Sequence, residues 1–420
     1  MICSQNVFDE PIRRRFDALC DYLMKIVVVG GGLAGMFTAY YLLKDGHSVI
    51  VLDTNPNGIT SIYNSGILAP SAAVLPPIAM KSILMRYLGR KGPVYVSPIE
   101  ILKNPGWFRM AVKRGMHGSE EIILALTLES ISLYKKFFAE ELVEIDIIDK
   151  CIGVYEDLED AKKAASALSC TLLNESEIYA LGIKDVAAGV WFERDISLNP
   201  AKLFLELRRR IQGMGGEFVF PKQTRLQKEN EKILFVGTEN QRFSADIFVV
   251  SAGAWCNDIC KPIGYDSRVL PARGLVMIFD TKGFKVVGAS MFLEDYGTTV
   301  GQHNENTLRM TSFFELVGFN ENFSQSKKKW VYDIATSHLV HKDKISLNAM
   351  QEGVGFRPCA PDQLPVIGKM PNVQNLYIAT GNCRLGVTLA PVTGDIIKSM
   401  INGEARLEKI VDQLSPARFR

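Results

Sequence analysis

IVVVGGGLAG, residues 26–35, running on into the apolar stretch MFTAYYLL at 36–43, is the passage on which the fold turns. Four β-branched residues in a row read as a buried strand, and the apolar stretch after Gly35 reads as a helix. Between them Gly30 permits the tight turn, Gly32 lets the backbone approach a pyrophosphate, and Gly35 lets helix and strand pack closely. Leu33 and Ala34 belong to the same approach, because the helix N-terminus faces the phosphates with its partial positive charge. Lys44-Asp45-Gly46 ends the helix, and HSVIVLD makes a second strand that closes on Asp53, where a ribose-binding acid is expected. Strand, fingerprint, helix, strand and terminal acid stand in the order of a Rossmann-type dinucleotide site. That motif alone does not separate FAD from NAD.

Two distant segments make the separation. ADIFVVSAGAW, 245–255, is a buried strand running into a small-residue turn where Ala252 and Gly253 let backbone pass close to a cofactor. NLYIATGNCRLGVTLAPVTGDIIKSMI, 375–401, gives a strand, the loop from Gly381 to Gly386 carrying Arg384 and Leu385, and a helix from near Val387 and Thr388. Its N-terminus suits the negative charge that develops on a reduced isoalloxazine. A nicotinamide dehydrogenase completes its nucleotide domain contiguously. Pieces scattered to the middle and end of the chain point to FAD.

A chain of 420 residues, 47% hydrophobic and 22% charged, buries a substantial core and suits two domains or one composite one. A net charge of +2, with Lys and Arg spread along the chain, argues against nucleic acid as a partner. Eight scattered cysteines and five histidines suggest no metal site and read as reduced thiols in a cytoplasmic protein, with Cys256 and Cys260 packing on one helical face. Residues 1–23, with Arg13, Arg14 and Arg15, hold neither a signal-peptide core nor a membrane span and read as an N-terminal extension.

From Met24 to about Gly403 the chain resembles the D-amino acid oxidase superfamily of FAD-dependent oxidoreductases, most of all its D-amino acid dehydrogenase branch. Beyond the fingerprint the resemblance is carried by YNSGILAPS (63–71), LRMTSFFELVGF (308–319), GFRPCAPDQLPVIG (355–368) and the C-terminal loop and helix. It implies an α/β (α+β overall) architecture in which a Rossmann-type FAD-binding domain, built from 24–71, 195–264 and 351–403, is interleaved with a discontinuous antiparallel-sheet substrate domain at 72–194 and 265–350. Residues 404–420 form a tail. The resemblance also implies that Thr60, Ser61, Asn64, Ser65, Gly66 and Ile67 run beneath the flavin, with Gly66 in close approach, and that Thr224 lies near adenine. Leu75 to Trp107 resembles the insert that dehydrogenase members carry over the active site, leaving open a peripheral membrane attachment. Asp195, before the helix start at Asn199-Pro200, reads as a turn or cap residue.

For chemistry, the resemblance makes Arg357 in GFRP the residue that grips a substrate carboxylate, since a planar guanidinium fixes orientation as well as position. Tyr296 is expected to add a second bond or close the pocket, while Arg309 faces solvent or a structural partner and Glu315 and Gly318 fit a turn. The implied reaction moves hydride from Cα of a D-amino acid, proline-like ones included, to flavin N5, leaving an imine that gives the 2-oxo acid or stays cyclic. FAD is expected to be non-covalent, Cys359 not matching the attaching position of relatives and Cys383 packing beside the flavin. The acceptor (quinone, dye or oxygen) and any homo-oligomer stay open. The rival readings are an oxidase of glycine, sarcosine or a hydroxy acid on this fold, and a flavin-binding subunit of a larger electron-transfer complex.

Overall fold

The computed structural model describes residues 23–74, 92–114, 119–141, 143 and 145–419. Lys25–Val29 lies at the heart of a six-stranded sheet, hydrogen-bonded in parallel to Ser48–Leu52 on one side and Ile247–Val250 on the other. Leu376–Thr380 adds beyond Ile247–Val250 and Glu217–Val219 beyond Ser48–Leu52, both parallel, and Val366–Lys369 closes one edge antiparallel. The β-branched run is continuous because both faces of this sheet are covered. Ile26 and Val28 pack into one core with Phe37, Tyr40, Tyr134 and Phe137; Val27 and Val29 pack into another with Phe248 and Ile378. Helices Leu33–Lys44, Glu120–Glu141, Pro200–Gly213 and Gly386–Ile401 contribute to the first core. Sequence segments far apart thus form one nucleotide-type sheet.

The second sheet has nine strands among the described residues and is mixed rather than purely antiparallel. Leu270–Asp280 pairs antiparallel with Thr307–Leu316 and with Gln351–Cys359, whereas Ser290–Leu293 runs parallel to Cys151–Tyr155 and Val94–Val96 parallel to Thr307–Leu316. Gln351–Cys359 therefore hydrogen-bonds into this sheet, although sequence reading grouped 351–403 with the nucleotide segments. Its full-length register with Leu270–Asp280 decides the matter. Glu315 also departs from expectation. It is buried inside Thr307–Leu316, not in a turn, because Arg273 donates to it at 2.8 and 2.6 Å and Lys327 pairs with its other oxygen. The turn falls at Gly318, with φ +66°. Residues 75–91 of the expected insert, and 1–22 of the extension, lie outside the described residues.

Candidate active site

A cavity of about 1540 Å³ is lined by residues of both sheets, well above the roughly 300–1,000 Å³ of an ordinary small-molecule pocket. One end is made by the fingerprint. Gly30 adopts φ +110°, and a Cβ there would stand 2.3 Å from the Ser251 carbonyl oxygen. Gly35 stands behind the lining, where a Cβ would meet the Gly30 carbonyl at 2.0 Å, so this glycine serves helix-to-strand packing. Gly32, Leu33 and Ala34 line the cavity at a helix start that no side chain caps in the usual way; Ser61 Oγ, from the neighbouring loop, accepts from the Leu33 N–H at 3.0 Å. Asp53 lines the same end and accepts from the Gly31 and Asn55 N–H groups at 2.5 and 2.7 Å. Burial raises its carboxyl pKa, and those two bonds oppose the rise.

Thr60, Ser61, Ser65, Ile67, Thr224, Ala252 and Gly253 also line the cavity. Gly66 does not. Its φ is +78° and a Cβ would meet the Leu198 carbonyl at 2.1 Å, so its close approach is to the strand Ile196–Leu198. The C-terminal loop supplies Arg384, Leu385, Gly386 and Val387, and the helix Gly386–Ile401 begins there without a side-chain cap. Gly381 and Thr388 stand behind this wall. Gly381 turns the chain at φ +82°, and buried Thr388 accepts from the Ala69 N–H at 3.2 Å, bracing the Ile67–Ala69 segment. Two helix N-termini whose own N-cap residues make no side-chain bond thus open on one cavity, the arrangement that suits a dianionic pyrophosphate and an electron-accepting ring.

Arg357 reaches the cavity from Gln351–Cys359, with Nη1 donating to the Phe313 carbonyl at 2.8 Å. Burial, with Arg384 nearby, pushes its pKa down to about 10, so it stays cationic at neutral pH. Gly274 on the neighbouring strand makes room for it, since a Cβ there would lie 2.4 Å from Arg357 Nη1. Glu294, which the sequence reading missed, lines the cavity too; burial raises its carboxyl to about 7 against the pull of Arg384. Tyr296 is not brought to the cavity lining. Its hydroxyl donates to Glu156 and its ring packs on Trp330 and His338. Arg309 is a structural tie, donating to the Ile62 and Asn64 carbonyls at 3.0 and 3.2 Å. Asp195 is fully buried, accepting from the Ser71 N–H at 3.0 Å and hydroxyl at 2.5 Å.

The cysteines require a correction. Cys359 and Cys383 are not free thiols but are joined as a disulfide, 24 residues apart in sequence, and both line the cavity. An antiparallel bridge between Cys359 and Asn382 brings their backbones together, a proximity that separation along the chain conceals. Cys151, Cys170, Cys256 and Cys260 are free. Among the described residues no cluster of His, Cys, Asp or Glu could hold a metal, and no helix is long and apolar enough to cross a membrane.

A glycine-rich helix start at one end of a large cavity and cationic side chains at the other suit a dinucleotide whose reactive ring meets a small acid, the layout of a flavoprotein oxidoreductase. The family model "FAD dependent oxidoreductase" (DAO) matches residues 25–400, and the chain belongs to that family. It is an FAD-dependent enzyme. Among curated relatives, the D-amino acid dehydrogenase of Vibrio atlanticus (strain LGP32) is 24% identical over 410 residues, covering 91% of this chain and 97% of the relative. That of Vibrio cholerae serotype O1 is 25% identical over 421 residues, covering 92% and 97%. Among solved structures, glycine oxidase from Geobacillus kaustophilus superposes with a TM-score of 0.71 at 16% identity, covering 92% of this chain and 96% of that one. L-proline dehydrogenase from P. horikoshii gives 0.70 at 18%, covering 94% and 98%. These superpositions carry the fold.

Proposed function

We propose that the enzyme oxidises the Cα–N bond of a small amino acid, of D configuration, to the imine. The observation that carries this reading is Arg357, held in the cavity with room made by Gly274 and, among the described residues, with only Nη1 hydrogen-bonded, so that the rest of the fork is available to a carboxylate. The configuration follows the D-amino acid dehydrogenases among the relatives.

Bound FAD would supply the two-electron acceptor for the Cα hydride. Gly32, Leu33, Ala34 and Asp53 would hold its pyrophosphate and ribose end, and the start of Gly386–Ile401 its ring end, without a covalent link. The chain's own contribution is placement and proton control. Arg357 fixes the carboxylate, Trp107, Phe292, Phe314 and Phe356 wall the cavity with apolar surface, and Glu294 accepts a proton from the substrate ammonium so that the amine is neutral when hydride leaves. The imine then hydrolyses in water to a 2-oxo acid and ammonia, or remains cyclic from a proline-like substrate.

The test is a panel of D- and L-amino acids, both prolines, glycine, sarcosine and a 2-hydroxy acid, assayed with an artificial dye acceptor and with oxygen. Turnover of D-amino acids above their L partners supports the proposal. Preference for glycine, sarcosine or the hydroxy acid replaces its substrate, and turnover of none of them removes it.

A further inference from the structure

We propose that the Cys359–Cys383 disulfide is redox-active and takes electrons from the reduced flavin. Both cysteines line the cavity that carries the fingerprint, in the wall that ends at the start of Gly386–Ile401. Their surroundings favour reduced sulfur. Cys359 lies two residues after Arg357 on one strand, so both side chains leave the same face, and Cys383 directly precedes Arg384. Arg384 lines the cavity and makes no hydrogen bond among the described residues, Glu294 being the carboxylate it pulls on. Two guanidinium groups and an uncapped helix N-terminus stabilise the anionic sulfur that opening the S–S bond first produces.

Three of the four free cysteines among the described residues have the opposite environment. Cys151, Cys256 and Cys260 are buried away from the cavity lining, and burial pushes their thiols upward, Cys256 to about 12. A second feature sets the cavity pair apart. Cys383 sits at φ +41°, in the left-handed region that L residues with a Cβ seldom adopt, so the loop holds its sulfur toward Cys359 against local backbone preference.

The step balances as an exchange of two electrons and two protons. The S–S bond breaks, each sulfur ends as a thiol, and the reduced flavin returns to its oxidised form, losing the two electrons and two protons that the sulfurs gain. The enzyme then stores the electrons of two substrate molecules, one pair on sulfur and one on flavin, before an external acceptor is needed. The inference rests on FAD occupying this cavity, the cofactor of the proposed function, but not on which substrate reduces it.

The experiment is an anaerobic titration of the holoenzyme with dithionite, quenched in denaturant with iodoacetamide and read by peptide mass spectrometry. Full bleaching is expected to consume twice the reductant that one flavin requires, with Cys359 and Cys383 both alkylated; in protein stripped of FAD and treated alike, the pair stays oxidised. Bleaching with a single equivalent and an intact disulfide would overturn the inference and leave a structural staple, as would equal reduction of the pair without FAD. Cys383→Ser should halve the reductant consumed, and if that variant does not fold, the alkylation pattern of the unaltered enzyme decides. Because dithionite replaces substrate, failure of every amino acid to turn over leaves this result readable.

Discussion

Three side chains carry the argument at the scale of single residues. In the proposed substrate complex, truncating Arg357 removes one side of a buried charge-assisted pair, typically about 2–5 kcal/mol. Arg357→Ala should therefore lower kcat/KM by roughly thirtyfold to a few thousandfold while FAD stays bound, which steady-state kinetics and the visible spectrum of the variant would check. Glu294, raised to about 7, predicts that kcat/KM rises with pH through about 7 as its carboxylate forms, and that Glu294→Gln flattens this limb. Asp195 gives a stability prediction instead. Burial raises its folded pKa from 3.8 to about 7, so its contribution is fully present below about pH 4 and is lost as pH rises through 7. Asp195→Asn keeps an acceptor for the Ser71 N–H without the charge, and a melting-temperature series across that window should show the decline in the unaltered enzyme only.

Among elements, the outcome is set by where strands pass one another. Gly274 lies across from Gly355 in the pairing of Leu270–Asp280 with Gln351–Cys359, and Arg357 lies across that gap. Gly274→Ala would force the guanidinium aside at an overpacking cost of about 1–3 kcal/mol, so the expected result is a raised KM in a protein that still folds and binds FAD, seen by comparing kinetics with flavin content. The same scale explains what was legible. The positions of Gly30, Gly32, Gly35 and Asp53 in the turn, the helix start and the strand end could be read in the sequence because they arise within one strand-turn-helix-strand unit. Tyr296 and Glu294 could not be ordered, since the strand Ser290–Leu293 gives way to a tight turn at Glu294–Tyr296, closed by Gly297 at φ +54°, and strand alternation no longer says which residue faces inward. Gly66 and Thr388 read as cofactor contacts, yet they brace the wall from behind, because small and hydroxylated residues serve backbone packing and ligand approach alike.

At the scale of the whole molecule, the nucleotide sheet was legible in outline because its strands are continuous apolar runs, whereas the boundary with the second sheet was not. Gln351–Cys359 joins the second sheet and delivers Arg357 to the cavity, and at its end Cys359 meets Cys383 from the loop after Leu376–Thr380. Long-range pairing of this kind leaves no local pattern, and the disulfide was hidden for the same reason. The proposed function rests on that joint: residues of both sheets line one cavity, the fingerprint on one side and Arg357 on the other.

The measurement closest to that central claim is anaerobic stopped-flow mixing of the purified holoenzyme with a D-amino acid, carrying hydrogen or deuterium at Cα, while the visible flavin band is followed. Bleaching that is saturable, and several-fold slower with deuterium when breaking the Cα–H bond limits the rate, is the predicted result. A flavin that no amino acid bleaches, or a protein that cannot be loaded with FAD at all, would contradict it.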